Sequence, residues 1–229
     1  MNFKKISTCL TTLIFAVFAA INLIPAGSAQ NKPEMIVTWE AQTYAPNGFG
    51  GRILPSSNSK IKMALSLITN GKPADLSRFR INWFINNEQQ ETGVGKTNIE
   101  FFSPQTNTGD LRIKAVVLNF LGQNQEKSIT IPITKPEIVI DSPFQNGIGA
   151  GNFPFKALPY FFNIEKLSEL EMTWGVNGEE VREGSQDQDI LDLKIPQGFG
   201  GGELKISLTA VNIKSPLEIA SVFNILKVK

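Results

Sequence analysis

The side chains that could do chemistry are few, and most are carboxylates. Asp187, Asp189 and Asp192, with Glu179, Glu180 and Glu183 nearby, could gather hard oxygen ligands for calcium. Calcium takes six to eight oxygens, and the helix-loop-helix calcium loop needs a glycine at its sixth position and a closing glutamate. Neither is present, so two readings stay open: a solvated strand edge or weak calcium binding. Glu137 and Asp141 raise the same question. Gly93-Val94-Gly95-Lys96-Thr97 resembles the end of a phosphate-binding loop. Such a loop needs a further glycine where Gln90 stands, and a helix whose N-terminal amides hold the phosphate. A strand-like run follows instead, which points to a hairpin loop. Ser57-Asn58-Ser59-Lys60 has the Ser-x-x-Lys spacing of serine acyl-transfer, where one helical turn brings the lysine to the nucleophile. Here the residues form a polar loop, and the companion motifs are missing. Histidine is absent, and Cys9 is the one cysteine. That closes most routes to nucleophilic or metal-dependent catalysis. A hydrolase working with two carboxylates is chemically possible, but no carboxylate pair recurs along the chain. No catalytic residue, cofactor or metal site is expected.

The elements around these residues give more. Lys4 and Lys5 precede an apolar stretch from Leu13 to Ile21, Pro25 breaks it, and Gly27-Ser28-Ala29 offers a small-residue cleavage site before Gln30. Residues 1–29 therefore read as an export signal. The alternative is an uncleaved signal anchor over residues 6–24, the only expected membrane contact. An exported protein is expected, at the cell surface, in a periplasm or outside the cell. Cys9 lies before the apolar run, so it is not placed for lipidation. Residues 30–229 then lack cysteine, and a core alone must hold them. With 22 Lys+Arg against 21 Asp+Glu, the chain has no electrostatic footprint for nucleic acid. The 41% hydrophobic content is ample for a core.

The chain also repeats. With Trp83 set over Trp174, Leu76-Ser77 meets Leu167-Ser168, Asn86 meets Asn177, Glu88 meets Glu179 and Gly93 meets Gly184. After small shifts, Pro104-Gln105 meets Pro196-Gln197, and Gly109 to Asn119 lies over Gly202 to Asn212. The seam falls near Pro136, giving domains at 30–135 and 136–229, an ordinary size. Period two dominates each unit. Phe79, Ile81, Trp83 and Ile85 alternate with polar residues, as do Leu170, Met172, Trp174 and Val176. Leu111 to Val117 and Leu204 to Ala210 do the same. Such alternation puts one face on a core and the other in water. Turn residues separate the runs at Asn86-Asn87, Asn177-Gly178 and 198–202. Helical signal is limited to a turn or two at Ala74 to Phe79 and Asn163 to Leu170.

About seven short strands per unit, with a central tryptophan on the third, predict an all-β chain: two tandem immunoglobulin-like β-sandwiches after an N-terminal signal helix. Trp83 and Trp174 are the expected core anchors. The Trp-x-x-Asn segment looks like bacterial Ig-like and PKD-like modules, without the aspartate-rich PKD signature. Trp39-Glu40-Ala41, Tyr44, Pro46, Arg52 and Leu54-Pro55, with Ala157 and Pro159 to Phe162, resemble an uncharacterised family of exported bacterial proteins with paired Ig-like domains. The resemblance implies an envelope location and no catalytic residues to carry over. Phe49, Phe120, Leu121, Phe144 and Phe199 are the candidate partner contacts; together at one end they would form a patch, and singly they would plug their own cores. Tyr160-Phe161-Phe162 is expected to be strand core with one residue outward. The leading function is a non-catalytic envelope or secreted module that binds or spaces, its partner an unidentified envelope protein or glycan. The alternative is a periplasmic chaperone-like or pilus-associated assembly factor with two Ig-like domains.

Overall fold

The computed structural model describes residues 32–105, 109–142, 144, 147–181, 187–199 and 201–229. The expected export signal, residues 1–29 with Cys9, and Glu183 and Gly184 lie outside the described residues. The rest is almost all strand. The first unit runs β1 (Glu34–Ala41), β2 (Lys60–Thr69), β3 (Lys72–Pro73), β4 (Arg80–Ile85), β5 (Glu88–Val94), β6 (Asn98–Phe102), β7 (Leu111–Phe120) and β8 (Gln123–Ile131). The second runs β9 (Glu137–Asp141), β10 (Gly151–Tyr160), a 3₁₀ turn at Leu167–Glu169, β11 (Leu170–Val176), β12 (Glu179–Glu180), β13 (Ile190–Ile195), β14 (Gly202–Asn212) and β15 (Ser215–Val228).

Each unit is a sandwich of two antiparallel sheets. In the first, β1, β3 and β6 all pair with β2, and they face the sheet β5-β4-β7-β8. In the second, β13-β10-β9 faces β12-β11-β14-β15. The topology is the same twice, with the hairpin partner of the tryptophan strand (β5 or β12) in the four-stranded sheet. The tryptophan strand is third in the second unit but fourth in the first. There the two-residue strand β3 intervenes, formed where the Asn70-Gly71 turn, both residues at positive φ, folds the chain back on β2.

Alternation explains the layers. On β7, Leu111, Ile113, Ala115 and Val117 point inward; on β14, Leu204, Ile206, Leu208 and Ala210 do so. Two separate apolar cores result, one in each sandwich. Trp83 is fully buried and Trp174 is 6% exposed. Burying ~200 Å² of indole at ~25 cal/mol/Å² contributes on the order of 5 kcal/mol before entropy is counted. Both indoles also meet their one polar need in the same way. Trp83 Nε1 donates to Lys96 O at 2.9 Å, and Trp174 Nε1 donates to Gln188 O at 3.0 Å. In each case the acceptor stands two residues ahead of the strand that follows, β6 or β13.

A second device repeats at the hairpin after each tryptophan. Asn86-Asn87 and Asn177-Gly178 all take positive φ. Two left-handed residues in a row match the right-handed twist of the flanking strands, and Asn and Gly take that conformation at least cost. Asn86 N donates to Arg112 O at 2.8 Å while Asn86 Oδ1 accepts from Arg112 N at 3.0 Å. Asn177 does the same with Lys205, at 2.8 and 2.9 Å.

Two local expectations need correction. Ala74 to Phe79 forms turns without a helix; its aspartate acts on its own loop, Ser77 N donating to Asp75 Oδ1 at 2.9 Å. Tyr160 ends β10, and Phe161-Phe162 leave the strand, Phe161 at φ 61°. Both phenylalanines are buried, because a loop of the first sandwich closes over them.

Candidate interaction surfaces

That loop spans residues 42–59, between β1 and β2. It begins at the far end of β1, where the first sandwich meets the second. Tyr44 pairs with the turn after β10: Tyr44 N donates to Phe162 O at 2.8 Å, and Phe161 N donates to Tyr44 O at 2.7 Å. Its ring packs on the second core. Burial, and then the Asp189 carboxylate, raise the Tyr44 hydroxyl above the usual tyrosine pKa. Phe49 stacks edge-on against Tyr160 and Phe161, at 5.4 and 6.0 Å between ring centres. A side chain at position 51 would collide with the Phe49 ring, so Gly51 gives that ring its room.

The loop is anchored by a buried serine knot. Ser56, Ser59 and Ser103 are each at most 3% exposed. Ser59 Oγ donates to Ser56 O, Ser103 Oγ donates to Ser56 O, and Ser59 N donates to Ser103 Oγ. The knot is continued into the second sandwich by Glu218. Its Oε1 accepts from Asn163 N at 2.8 Å, Asn163 Nδ2 at 2.9 Å and Ser56 Oγ at 3.3 Å; its Oε2 accepts from Asn212 Nδ2 at 2.5 Å. Asn163 Nδ2 reaches Ser57 O at 2.9 Å. A buried carboxylate is costly unless its lone pairs are matched, and here four donors converge on it. Beside this clasp lies a cleft of about 370 Å³, lined in part by Gln105, Lys135, Pro136, Leu217 and Ile219.

Leu217 and Ile219 belong to a second surface. β15 is the edge of its sheet, and its outward residues are Leu217, Ile219, Ser221, Phe223 and Ile225. Leu217 is 96% exposed, Ile219 52%, Phe223 57% and Ile225 55%. The inward residues Leu226 and Val228 are buried and Val222 packs on the core. β15 is therefore apolar on both faces, although only one face meets its own core. The corresponding strand of the first sandwich, β8, turns Asn124, Glu126, Ser128 and Thr130 outward. Lys205 lies over the Phe223 ring at 4.6 Å.

The five residues expected to form a partner patch are not together. Phe120 is buried against Phe79, ring centres 5.1 Å apart, while Leu121 stands exposed in the β7–β8 turn at φ 51°. These two sit at the end of the first sandwich remote from the second. Phe49 lies in the junction. Phe144 packs on Phe153 and Phe155, and Phe199 is 45% exposed after β13; both are at the remote end of the second sandwich. The reason is strand polarity: the connections β1–β2 and β7–β8 leave opposite ends of one sandwich, so their phenylalanines cannot meet.

The chemical motifs also resolve. Gly95 takes φ 67° in the turn from β5 to β6, Gly95 N donating to Phe79 O at 2.9 Å, and a strand follows. Ser57 and Asn58 border the junction cleft, and Lys60 opens β2, where it pairs with Glu100 across the sheet. Asp189 offers its backbone carbonyl to Ala157 N at 2.7 Å. Among the described residues, no three His, Cys, Asp or Glu side chains are grouped to hold a metal ion. Lys214 Nζ reaches Glu169 Oε1 at 2.8 Å, and this hydrogen bond holds the Glu169 carboxyl below and the Lys214 amine above their usual ranges.

Glu218, Asn163, Asn212 and the serine knot leave no mark in the sequence. Nothing in their spacing marks them: Asn163 and Glu218 stand 55 residues apart, Ser59 and Ser103 44, and Ser56 and Glu218 162. The β15 surface did carry a signal: Leu217, Ile219, Phe223 and Ile225 in one phase and Ala220, Val222, Leu226 and Val228 in the other. Apolar residues in both phases signify a strand covered on both faces.

No protein-family model and no curated protein matches the chain. Among solved structures, it is similar to the fibronectin(III)-like modules of CbhA from Clostridium thermocellum, at 14% identity over 84% of this chain and 93% of that one, TM-score 0.31. It is similar to the Ig1-2 module of the Drosophila receptor protein tyrosine phosphatase DLAR, at 16% identity over 86% and 98%, TM-score 0.27. A third is SGBP-B of the Bacteroides ovatus mixed-linkage glucan utilization locus, in complex with a mixed-linkage heptasaccharide, at 15% identity over 88% of this chain and 48% of that one, TM-score 0.24. By its own sheets and its two separate cores, the chain is an all-β tandem of Ig-like sandwiches.

Proposed function

We propose that this chain is a non-catalytic module of the bacterial cell envelope that holds two Ig-like sandwiches as one arm and presents a binding surface to a protein or glycan partner. The observation that carries this is the junction. Glu218 takes donors from Ser56 in one sandwich and Asn163 and Asn212 in the other, and Tyr44 and Phe49 extend the contact. A linker between independent domains has no use for a buried, four-donor carboxylate; an arm that must keep its two ends in register does. The export-like residues 1–29 and the resemblance to exported, paired Ig-like proteins support the location.

Retention of envelope components by the immobilised protein, identified by mass spectrometry, tests binding. Sequencing the native N-terminus tests export: a start at Gln30 supports cleavage, and a start at Met1 an anchor. Turnover of cell-wall glycan that disappears on changing one carboxylate would overturn the non-catalytic reading. The assembly-factor reading draws on β15, whose exposed alternation suits strand donation to a subunit. Co-purification of a pilus subunit would favour it.

A further inference from the structure

We propose that β15 is a self-pairing edge: two copies of this chain join β15 to β15, antiparallel about Ser221, into one continuous eight-stranded sheet. This goes beyond the binding function above and stands or falls separately from it.

The edge itself is the first argument. Long, flat apolar edge strands are normally blunted by charge, proline or a bulge, because their free N–H and C=O groups recruit another strand. β15 pairs with β14 in unbroken register from Ile219 to Val228, the one irregularity falling at Val211/Asn212 of β14. Among the described residues its other side meets the end of β9, where Asn224 Nδ2 donates to Ile140 O at 3.4 Å, and Ile148, whose N–H donates to Lys227 O at 2.9 Å and whose carbonyl accepts from Lys229 N at 2.9 Å. The Ile148 bonds show which backbone groups turn outward. In an antiparallel strand the groups alternate, so Ile225, Phe223, Ser221, Ile219 and Leu217 share the outward parity of Lys227. The residues with free backbone groups are thus the same ones whose side chains form the apolar stripe.

Register supplies the second argument and selects the occupant. Two such edges paired about Ser221 set Ile219 opposite Phe223 and Leu217 opposite Ile225, each twice, with Ser221 opposite itself. Every large apolar residue gains an apolar cross-strand partner, the unit of sheet stabilisation. Moving the centre to Phe223 sets Ile219 against Lys227, and moving it to Ile219 sets Phe223 against Ser215. One two-fold register is favoured, and a two-fold contact is self-complementary by construction.

Area is the third argument. At roughly 150–200 Å² per large apolar side chain, the four exposures leave on the order of 400–500 Å² of apolar surface per copy. A standard interface buries ~800 Å² per partner. The stripe accounts for about half of that, and the outward backbone groups of the same strand add main-chain hydrogen bonds. β8, the matching strand of the first sandwich, carries Glu126 and Lys127 and is built not to pair.

Light scattering coupled to size exclusion, on the purified exported protein, reads the state directly. Twice the chain mass is expected at micromolar concentration, and Ile219→Lys, at an exposed position outside both cores, is expected to return it to a monomer that melts as the wild type does when diluted to its own monomer. For geometry, Ser221→Cys in a Cys9→Ser background leaves a single thiol on the two-fold axis; oxidation is expected to give a covalent dimer, whereas Thr130→Cys on β8 in the same background stays monomeric. A wild-type monomer up to about 100 µM, a dimer that survives both Ile219→Lys and Phe223→Lys, or equal cross-linking through Thr130→Cys would each overturn the proposal. So would a monomer that captures a different envelope protein through this edge.

Discussion

Replacing Glu218 by alanine tests the junction most directly. The carboxylate accepts from four donors. After truncation, Asn163 Nδ2 keeps Ser57 O, Asn212 Nδ2 keeps Asn163 O at 3.3 Å, and Ser56 Oγ keeps Ser59 Oγ at 3.1 Å. Asn163 N–H loses its acceptor outright. One unsatisfied donor costs about 1–3 kcal/mol and each weakened charge-assisted bond ~1 kcal/mol, while the adjoining cleft admits water and trims the sum; about 2–4 kcal/mol is expected. Three of the four bonds run to Asn163 and Asn212 of the second sandwich, so that unit bears most of the loss. For a domain of about 100 residues, 1 kcal/mol moves Tm by roughly 4–8 °C. Scanning calorimetry should therefore show the second sandwich melting roughly 8–32 °C lower and separating from the first, where the wild type melts as one coupled unit. Glu218→Gln, which keeps an acceptor for Asn163 N, should fall between. A melting profile for the alanine variant within about 1 °C of wild type would refute the clasp as a source of coupling.

Other outcomes follow from single contacts. Trp174→Ala should destabilise by about 3–5 kcal/mol in denaturant titration, from the cavity and the orphaned Gln188 carbonyl together. Gly147→Ala should cost about 1–3 kcal/mol, because Gly147 sits at φ 88° and a Cβ there would come within 2.5 Å of Lys227 O. The Glu169–Lys214 pair should show in the pH dependence of Tm. The folded pKa of Glu169 is lowered, so its contribution is present above the unfolded value of ~4.3 and is lost as pH falls through the folded one; that of Lys214 is raised, so its contribution is complete below ~10.4 and fades above it. Lys214→Ala should flatten the acid limb, read as a smaller Tm difference between pH 5 and pH 3 (about two units).

What could be read from the chain was what it states locally. Alternation placed Ile81 and Trp83 inward and Arg112 and Lys114 outward, because strand period and burial are one geometric fact. Asn86-Asn87 and Asn177-Gly178 announced their hairpins because so few residues accept a left-handed backbone. The junction was hidden for the opposite reason: Ser56 and Glu218 bond at a separation of 162 residues, and neither is unusual among its neighbours. Phe161-Phe162 looked like strand because a buried loop and a buried strand have the same composition. The outward stripe of β15 was written in the sequence, but a run apolar in both phases reads as core until the second face is seen uncovered.

The loop 42–59 has a bearing on how the molecule is made. Synthesis delivers β1 and β2 early, yet the turn that receives Tyr44 comes more than a hundred residues later, at Phe161-Phe162, and the glutamate that receives Ser56 later still. Until then the first sandwich waits with one end unsealed. β15, the last of the described strands, both closes its own sheet and carries Glu218 to Ser56, so until it is made the junction has its Tyr44 and Asn163 contacts to form but lacks the carboxylate that gathers them.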